Sequence, residues 1–167
     1  ARSEGPRVAI VGGGVAGVEL AFAIRARLAT DRAARGGPPI SVTLITSADL
    51  IPTLNAGMRK RAKAALARAG IALLTNTRVS AISADGVSLD DGRSLTADAT
   101  FISTRARAPA MTAALSLPID GQGAIKLTTM LQSIADPRVF ASGDCAALDP
   151  PVEKAGVFAV RQGPVLA

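Results

Sequence analysis

The sequence predicts an α/β fold built on a doubly wound parallel sheet, and three observations carry that expectation. Short β-branched, apolar runs alternate with helical patterns along the first hundred residues. The first run enters a glycine turn that opens a helix, and a mid-chain stretch of short alternating segments reads as an antiparallel three-stranded meander. Strand, helix, strand order belongs to parallel sheets, whose crossovers are helical and right-handed.

Each element has its own local reason. Residues 7–11, Arg-Val-Ala-Ile-Val, read as a short buried strand. A helical pattern follows from Val15 to Arg32, with Val18, Phe22 and Leu28 on one side. Arg35-Gly36-Gly37-Pro38-Pro39 ends it, because glycine and proline in succession cannot continue a helix. Residues 40–45 form a second β-branched strand. A second helix is expected over 56–69, with Met58, Ala62, Ala65, Leu66 and Ala69 inward and Gly70 at its left-handed exit. Basic residues in its first turns oppose the helix dipole at modest cost. Ile71 to Leu74 is a third parallel strand. Segments 78–83, 86–89 and 93–95 make the meander, with Asp90-Asp91-Gly92 as a hairpin turn. Residues 99–103 return to the parallel sheet. A looser region follows Pro109, then a turn at Gly121-Gln122-Gly123 and strands at 124–127 and 139–141. A terminal helix is expected from about Glu153, kinked or ended by Pro164, which has no backbone donor.

Composition narrows the chemistry. The 167 residues suit one domain with a small addition. With four Phe and no Trp or Tyr, the core must be aliphatic. The absence of histidine excludes Ser-His-Asp and Cys-His catalysis within the chain. The single Cys145 excludes an internal disulfide, a CxxC pair and a multi-cysteine zinc site. No catalytic residue and no metal ligand is therefore assigned. The net charge of +6 raises nucleic acid as a partner. The densest basic run, Met58 to Lys63, has no aromatics to stack bases, so a solvated helix face is expected and no nucleic acid. No apolar stretch approaches the roughly 20 residues of a membrane span. Nothing at the N-terminus resembles a signal peptide, and the initial alanine points to processing or trimming. Low cysteine use fits a reducing cytosol, so a cytoplasmic location is expected.

The sharpest motif is Gly12-Gly13-Gly14-Val15-Ala16-Gly17, a G-x-G-x-x-G pattern between a strand and a helix. That context converts a weak match into a dinucleotide-binding fingerprint. Gly12 allows the tight turn, Gly14 lets the backbone approach a pyrophosphate, and Gly17 permits close helix–strand packing. The helix start supplies unpaired N–H groups and a positive dipole end, with no acid between Gly12 and Val18 to repel phosphate. On this motif alone, S-adenosylmethionine shares the physics and stays open, as does a turn that binds nothing. A ribose-binding acid is expected at the end of the second strand. Thr46 and Ser47 stand there, with Asp49 three residues late, and no arginine follows Thr46 to hold a 2′-phosphate. NAD and NADP both remain open.

Residues 12–21, Gly-Gly-Gly-Val-Ala-Gly-Val-Glu-Leu-Ala, resemble the second glycine motif of the pyridine nucleotide-disulfide oxidoreductase superfamily. Within it the look-alikes are type II NADH dehydrogenases and the related module fused to selenide, water dikinase. Val42 to Ile45, Leu50-Ile51-Pro52 and the segment from Asp91 to Asp98 agree with that family. The strongest match is Val139-Phe140-Ala141-Ser142-Gly143-Asp144-Cys145-Ala146, which resembles the second FAD motif. The resemblance implies that Asp144 accepts from a flavin ribitol hydroxyl, with Gly143 giving the flavin chain room, and that Cys145 is a small buried residue. It implies that Glu19 helps place the nicotinamide ring. Ser103-Thr104-Arg105 stands where the family carries Ala-Thr-Gly, so Thr104 and Arg105 are expected beside the dinucleotide, with the arginine clashing or supplying a cation.

The implied organisation is a Rossmann-like NAD(P)-binding domain over 1–117 and a returning segment of an FAD-binding Rossmann-like domain over 118–167. An N-terminal FAD half and a C-terminal domain of the same polypeptide would complete it, and a chain without them would bind no FAD. The implied activity is hydride transfer from NAD(P)H to FAD and on to a quinone or another acceptor, in a homodimer lying in the cytoplasm or peripherally on the cytoplasmic face of the membrane. The alternative is a degenerate Rossmann module, binding or structural, with no nicotinamide affinity.

Overall fold

The structure, a computed structural model, describes residues 5–152 and 154–167. The chain forms two compact units, residues 1–104 and 105–167.

In the first unit, β1 (Arg7–Val11), β2 (Ser41–Ile45), β3 (Ile71–Leu74) and β7 (Ala99–Ile102) build one parallel sheet in the order β3-β2-β1-β7. Residues Val8 to Val11 align with Val42 to Ile45 on one side and with Ala99 to Ile102 on the other. Alternation along the strands sends Val8, Ile10, Val42 and Leu44 to one face and Ala9 and Ile45 to the other. The helices α1 (Val15–Ala34) and α2 (Ala56–Arg68) both cover the first face, burying Val18, Ala21 and Leu66 against it. The opposite face is covered over β1, β2 and β3 by the meander β4 (Val79–Ser83), β5 (Gly86–Leu89) and β6 (Ser94–Thr96), through Val87, Leu89 and the following Ala97, while Ile102 of β7 stays exposed. An aliphatic core on both faces is usual for a parallel sheet, and here it holds for β1, β2 and β3 but not for the edge strand β7, whose Phe101 and Ile102 are exposed.

Most local expectations hold to within a residue or two. Gly70 closes α2 at φ +68. The Asp90-Asp91-Gly92 turn joins β5 to β6, with Gly92 at φ +85 and the Leu89 N–H donating to Arg93 O at 2.8 Å. One correction concerns α2: Met58 is 48% exposed rather than inward. Met58 N–H instead donates to the Asn55 side chain, which caps the helix at 2.9 Å. Packing of α2 against the core begins at Ala62.

The second unit is sparser in regular structure. It holds α3 (Met111–Ala114), a single turn that no periodicity in the sequence announces, the short parallel pair β8 (Ile125–Lys126) and β9 (Ala146–Ala147), and α4 (Gly156–Leu166). A small core of Ile125, Leu127, Leu131 and Ala146 holds it. The strand expected at 139–141 is reduced to an isolated bridge between Phe140 and Gln132. Gly143 to Cys145 then make a turn of 3₁₀ helix, so the ladder forms after the Gly-Asp pair, not before it. The start expected for the last helix at Glu153 lies outside the described residues, and the helix begins at Gly156. Pro164 lies inside it and does not end it, since the helix continues to Leu166. Pro164 has no N–H to give to the carbonyl four residues back, Val160, so one bond is lost inside the helix.

Among the described residues, no helix is long and apolar enough to cross a membrane. Among them, too, no group of three or more His, Cys, Asp or Glu could hold a metal ion.

Candidate functional site

The glycine turn joins the C-terminal end of β1 to α1. Gly12 has φ +126, a conformation L side chains rarely adopt. A Cβ there would lie 2.1 Å from Ser103 O, so the turn runs directly beside the backbone leaving β7. A Cβ on Gly17 would lie 1.8 Å from Gly12 O, which is the tight helix–strand packing expected of the third glycine. Gly13 abuts Thr46: a Cβ on it would approach that side chain to 2.5 Å. Gly14 differs from all three. Nothing lies within 4 Å of a Cβ built on it, and Gly14, Val15 and Ala16 are exposed. The bend is open, not plugged by side chains.

The helix start beyond it is bare in a chemically useful way. Gly14 is the N-cap without a side-chain capping bond, and no acid stands in the first turn. The first bond of the helix runs from Val18 N–H to Gly14 O at 3.1 Å. The N–H groups ahead of it are those a helix leaves unpaired, and they lie at the positive dipole end. An exposed glycine backed by such donors suits an anionic group such as a pyrophosphate.

At the end of β2, Thr46 is 7% exposed, packed under Gly13, while Ser47 is exposed. Thr46 is also bound through its backbone: its N–H donates to Leu74 O at 2.8 Å and its carbonyl accepts from Thr77 N–H at 2.9 Å. Thr104 is exposed where the chain passes Gly12. Arg105 is exposed and begins the second unit. Glu19 is exposed on the second turn of α1.

A brace that the sequence does not reveal supports this turn. Asp49 receives Lys63 Nζ at 2.5 Å and Arg59 Nε at 3.2 Å. The Lys63 ammonium, followed by the Leu50 N–H at 2.8 Å, holds the Asp49 carboxyl below the ordinary carboxylate range. Arg59 also donates to Leu54 O. Close by, Ile51 donates its N–H to Gly13 O at 2.8 Å and sits at φ +40, strained for a β-branched side chain. The basic residues that oppose the dipole of α2 therefore hold the loop that supports the glycine turn. Their spacing along one helix face is visible in the sequence, but their acidic partner lies before the helix, across a loop.

In the second unit, Gly143 has φ +61, and its N–H donates to Gln162 Oε1 at 2.7 Å. Asp144 is exposed beside it. Cys145 is free and half-buried rather than fully buried.

The chain as a whole has relatives. Residues 1–163 match the family model described as pyridine nucleotide-disulphide oxidoreductase, and the chain belongs to that family. It is 30% identical over 165 residues to the NADH dehydrogenase-like protein MT1860 of Mycobacterium tuberculosis (strain CDC 1551 / Oshkosh), covering 96% of this chain and 40% of that relative. The chain thus spans 40% of the length of the curated relatives it matches. Among solved structures, it resembles the water-forming NADH oxidase from Lactobacillus brevis bound to NADH, at 24% identity and a TM-score of 0.74 over 96% of this chain and 36% of the other. A NAD-dependent persulfide reductase from A. fulgidus is similar at 22% identity and a TM-score of 0.74, over 96% and 30%. These likenesses establish the fold.

Proposed function

We propose that residues 1–104 bind NAD(P)H through the Gly12–Gly17 turn and that the second unit contributes Gly143 and Asp144 to an FAD site in the intact polypeptide. The observation that carries the proposal is the open space over Gly14 at an uncapped, acid-free helix start. A Cβ would project into that open space, where backbone N–H groups stand free for an anion, so the residues present fit a diphosphate. The backbone of Gly13, Gly14, Val15 and Ala16 would hold it, with Ser47 and Thr104 alongside the ribose and Glu19 placing the nicotinamide. Asp144 would hold the flavin ribitol. When bound, FAD supplies the hydride acceptor for NAD(P)H and the relay to a quinone or another acceptor. The protein's own share is grip and orientation, since no group here can act as a histidine base.

Calorimetric titration with NADH and with NADPH tests the first part, and binding of one or both is expected. Failure to bind either leaves the second reading, a degenerate module, which buried Thr46 in place of an acid favours. Stoichiometric flavin on the intact polypeptide tests the second part.

A further inference from the structure

The turn that carries Asp144 is held by side chains that come later in the chain. Lys154 Nζ donates to Asp144 O at 3.1 Å, to Gly143 O at 3.5 Å and to Ala146 O. Three carbonyls of one short turn therefore converge on a single ammonium. From the next helix, Gln162 accepts the Gly143 N–H at 2.7 Å, and Ala159 stands so close that a Cβ on Gly143 would meet it at 3.3 Å. The turn is thus gripped on its carbonyls by a cation and on its first N–H by an amide. Gly143 at φ +61 has the freedom to leave this conformation, so its neighbours must fix it. The end of the turn is anchored separately, by Ala146 pairing with Ile125 and its N–H donating to Gly143 O, which leaves the Gly143–Asp144 end to Lys154 and Gln162.

We infer that Lys154 and Gln162 are positioning residues that set the Gly143–Asp144 turn for a flavin ribityl-diphosphate chain, acting through the backbone rather than by touching the ligand. This rests on the reading of Asp144 as the ribitol acceptor. A lysine suits such a role because it presents three donors on a flexible stem, and charge-assisted bonds to carbonyls are stronger than neutral ones. Loss of the ammonium leaves three carbonyl oxygens turned together with their mutual repulsion unrelieved. The turn then opens, and the flavin site must be reassembled on each binding event.

The test uses the intact polypeptide with Lys154→Met, Lys154→Arg and Gln162→Leu. The FAD dissociation constant is measured by flavin fluorescence after removal of the bound cofactor, together with NAD(P)H affinity by calorimetry. Lys154→Met is expected to weaken FAD binding by about tenfold or more. NAD(P)H affinity should stay unchanged, and Lys154→Arg should recover most of the loss. Gln162→Leu, which leaves the ammonium in place, should weaken FAD binding less and shift the visible circular dichroism of the flavin. A wild-type protein that takes up no FAD overturns the reading of Asp144 and this inference with it. Flavin on the wild type with undiminished FAD affinity in Lys154→Met overturns this inference alone, as does parallel loss of both nucleotides.

Discussion

Four glycines in the first turn answer to four different neighbours, and substitution separates their roles. Gly17→Ala places a methyl 1.8 Å from Gly12 O, where backbone cannot yield cheaply. It should destabilise the first unit by about 1–3 kcal/mol or more in urea titration, the range for forced overpacking. Gly14→Ala meets nothing within 4 Å and keeps a φ of −74 that any residue adopts. Its stability cost should stay under about 1 kcal/mol, the usual scale for an altered N-cap. If the turn receives a diphosphate, the same methyl stands in the ligand's path, and NAD(P)H affinity should fall by about tenfold or more, roughly 1.4 kcal/mol. Wild-type affinity in Gly14→Ala would move the nucleotide elsewhere. Glu19 is an exposed carboxylate away from the core, so Glu19→Gln should leave stability within about 0.5 kcal/mol. If Glu19 places a nicotinamide ring as proposed, its effect should appear in the hydride-transfer rate of the intact polypeptide rather than in unfolding.

At the scale of elements, α2 has two separate jobs. Its inner face buries Leu66 completely against the sheet, and Leu66→Ala should cost about 2–5 kcal/mol by denaturant unfolding. Its outer face sends Arg59 and Lys63 to Asp49 and so braces the loop beneath Gly13. The Asp49 carboxyl is held below its ordinary 3.8, chiefly by Lys63. A depressed folded value stabilises above the unfolded one and is lost as pH falls through the folded value. The brace should therefore stand at neutral pH and release only below about pH 4, the unperturbed Asp value. Carboxyl chemical shifts of Asp49 followed by NMR against pH should show a midpoint below 3.8. In Lys63→Met that midpoint should move up, and a midpoint that does not move would show the pair to be incidental. Because both charges are substantially exposed, salt should weaken the brace as well.

Across the whole molecule, the division falls between Thr104 and Arg105. Residues 103–109 have no regular structure, and Arg105 and Arg107 are exposed within them. Limited trypsin digestion should cut there first, and mass spectrometry should find a fragment ending at one of those arginines. Early cleavage inside α1 or α2 instead would contradict the compactness of the first unit. The family resemblance implies a domain boundary near residue 117. Compactness divides the chain earlier, since β7 is the last strand to join the first sheet.

Local chemistry suffices wherever a residue's role depends on its immediate neighbours. The parallel strands, both long helices, the meander, the Gly92 and Gly70 turns and the glycine fingerprint are all legible, because periodicity and positive-φ glycines act over a few residues. Tertiary structure alone decides the partners of charges and the fate of marginal strands. Asp49 finds Arg59 and Lys63 across a loop, and Lys154 finds three carbonyls eight to eleven residues earlier. The run at 139–141 has the composition of a strand yet keeps a single bridge to the segment 131–133, where Leu131 at φ +60 leaves the extended conformation a ladder needs. Hydrophobic patterning announces itself along the chain, whereas the pairing of a polar group is fixed only once folding has chosen what stands beside it.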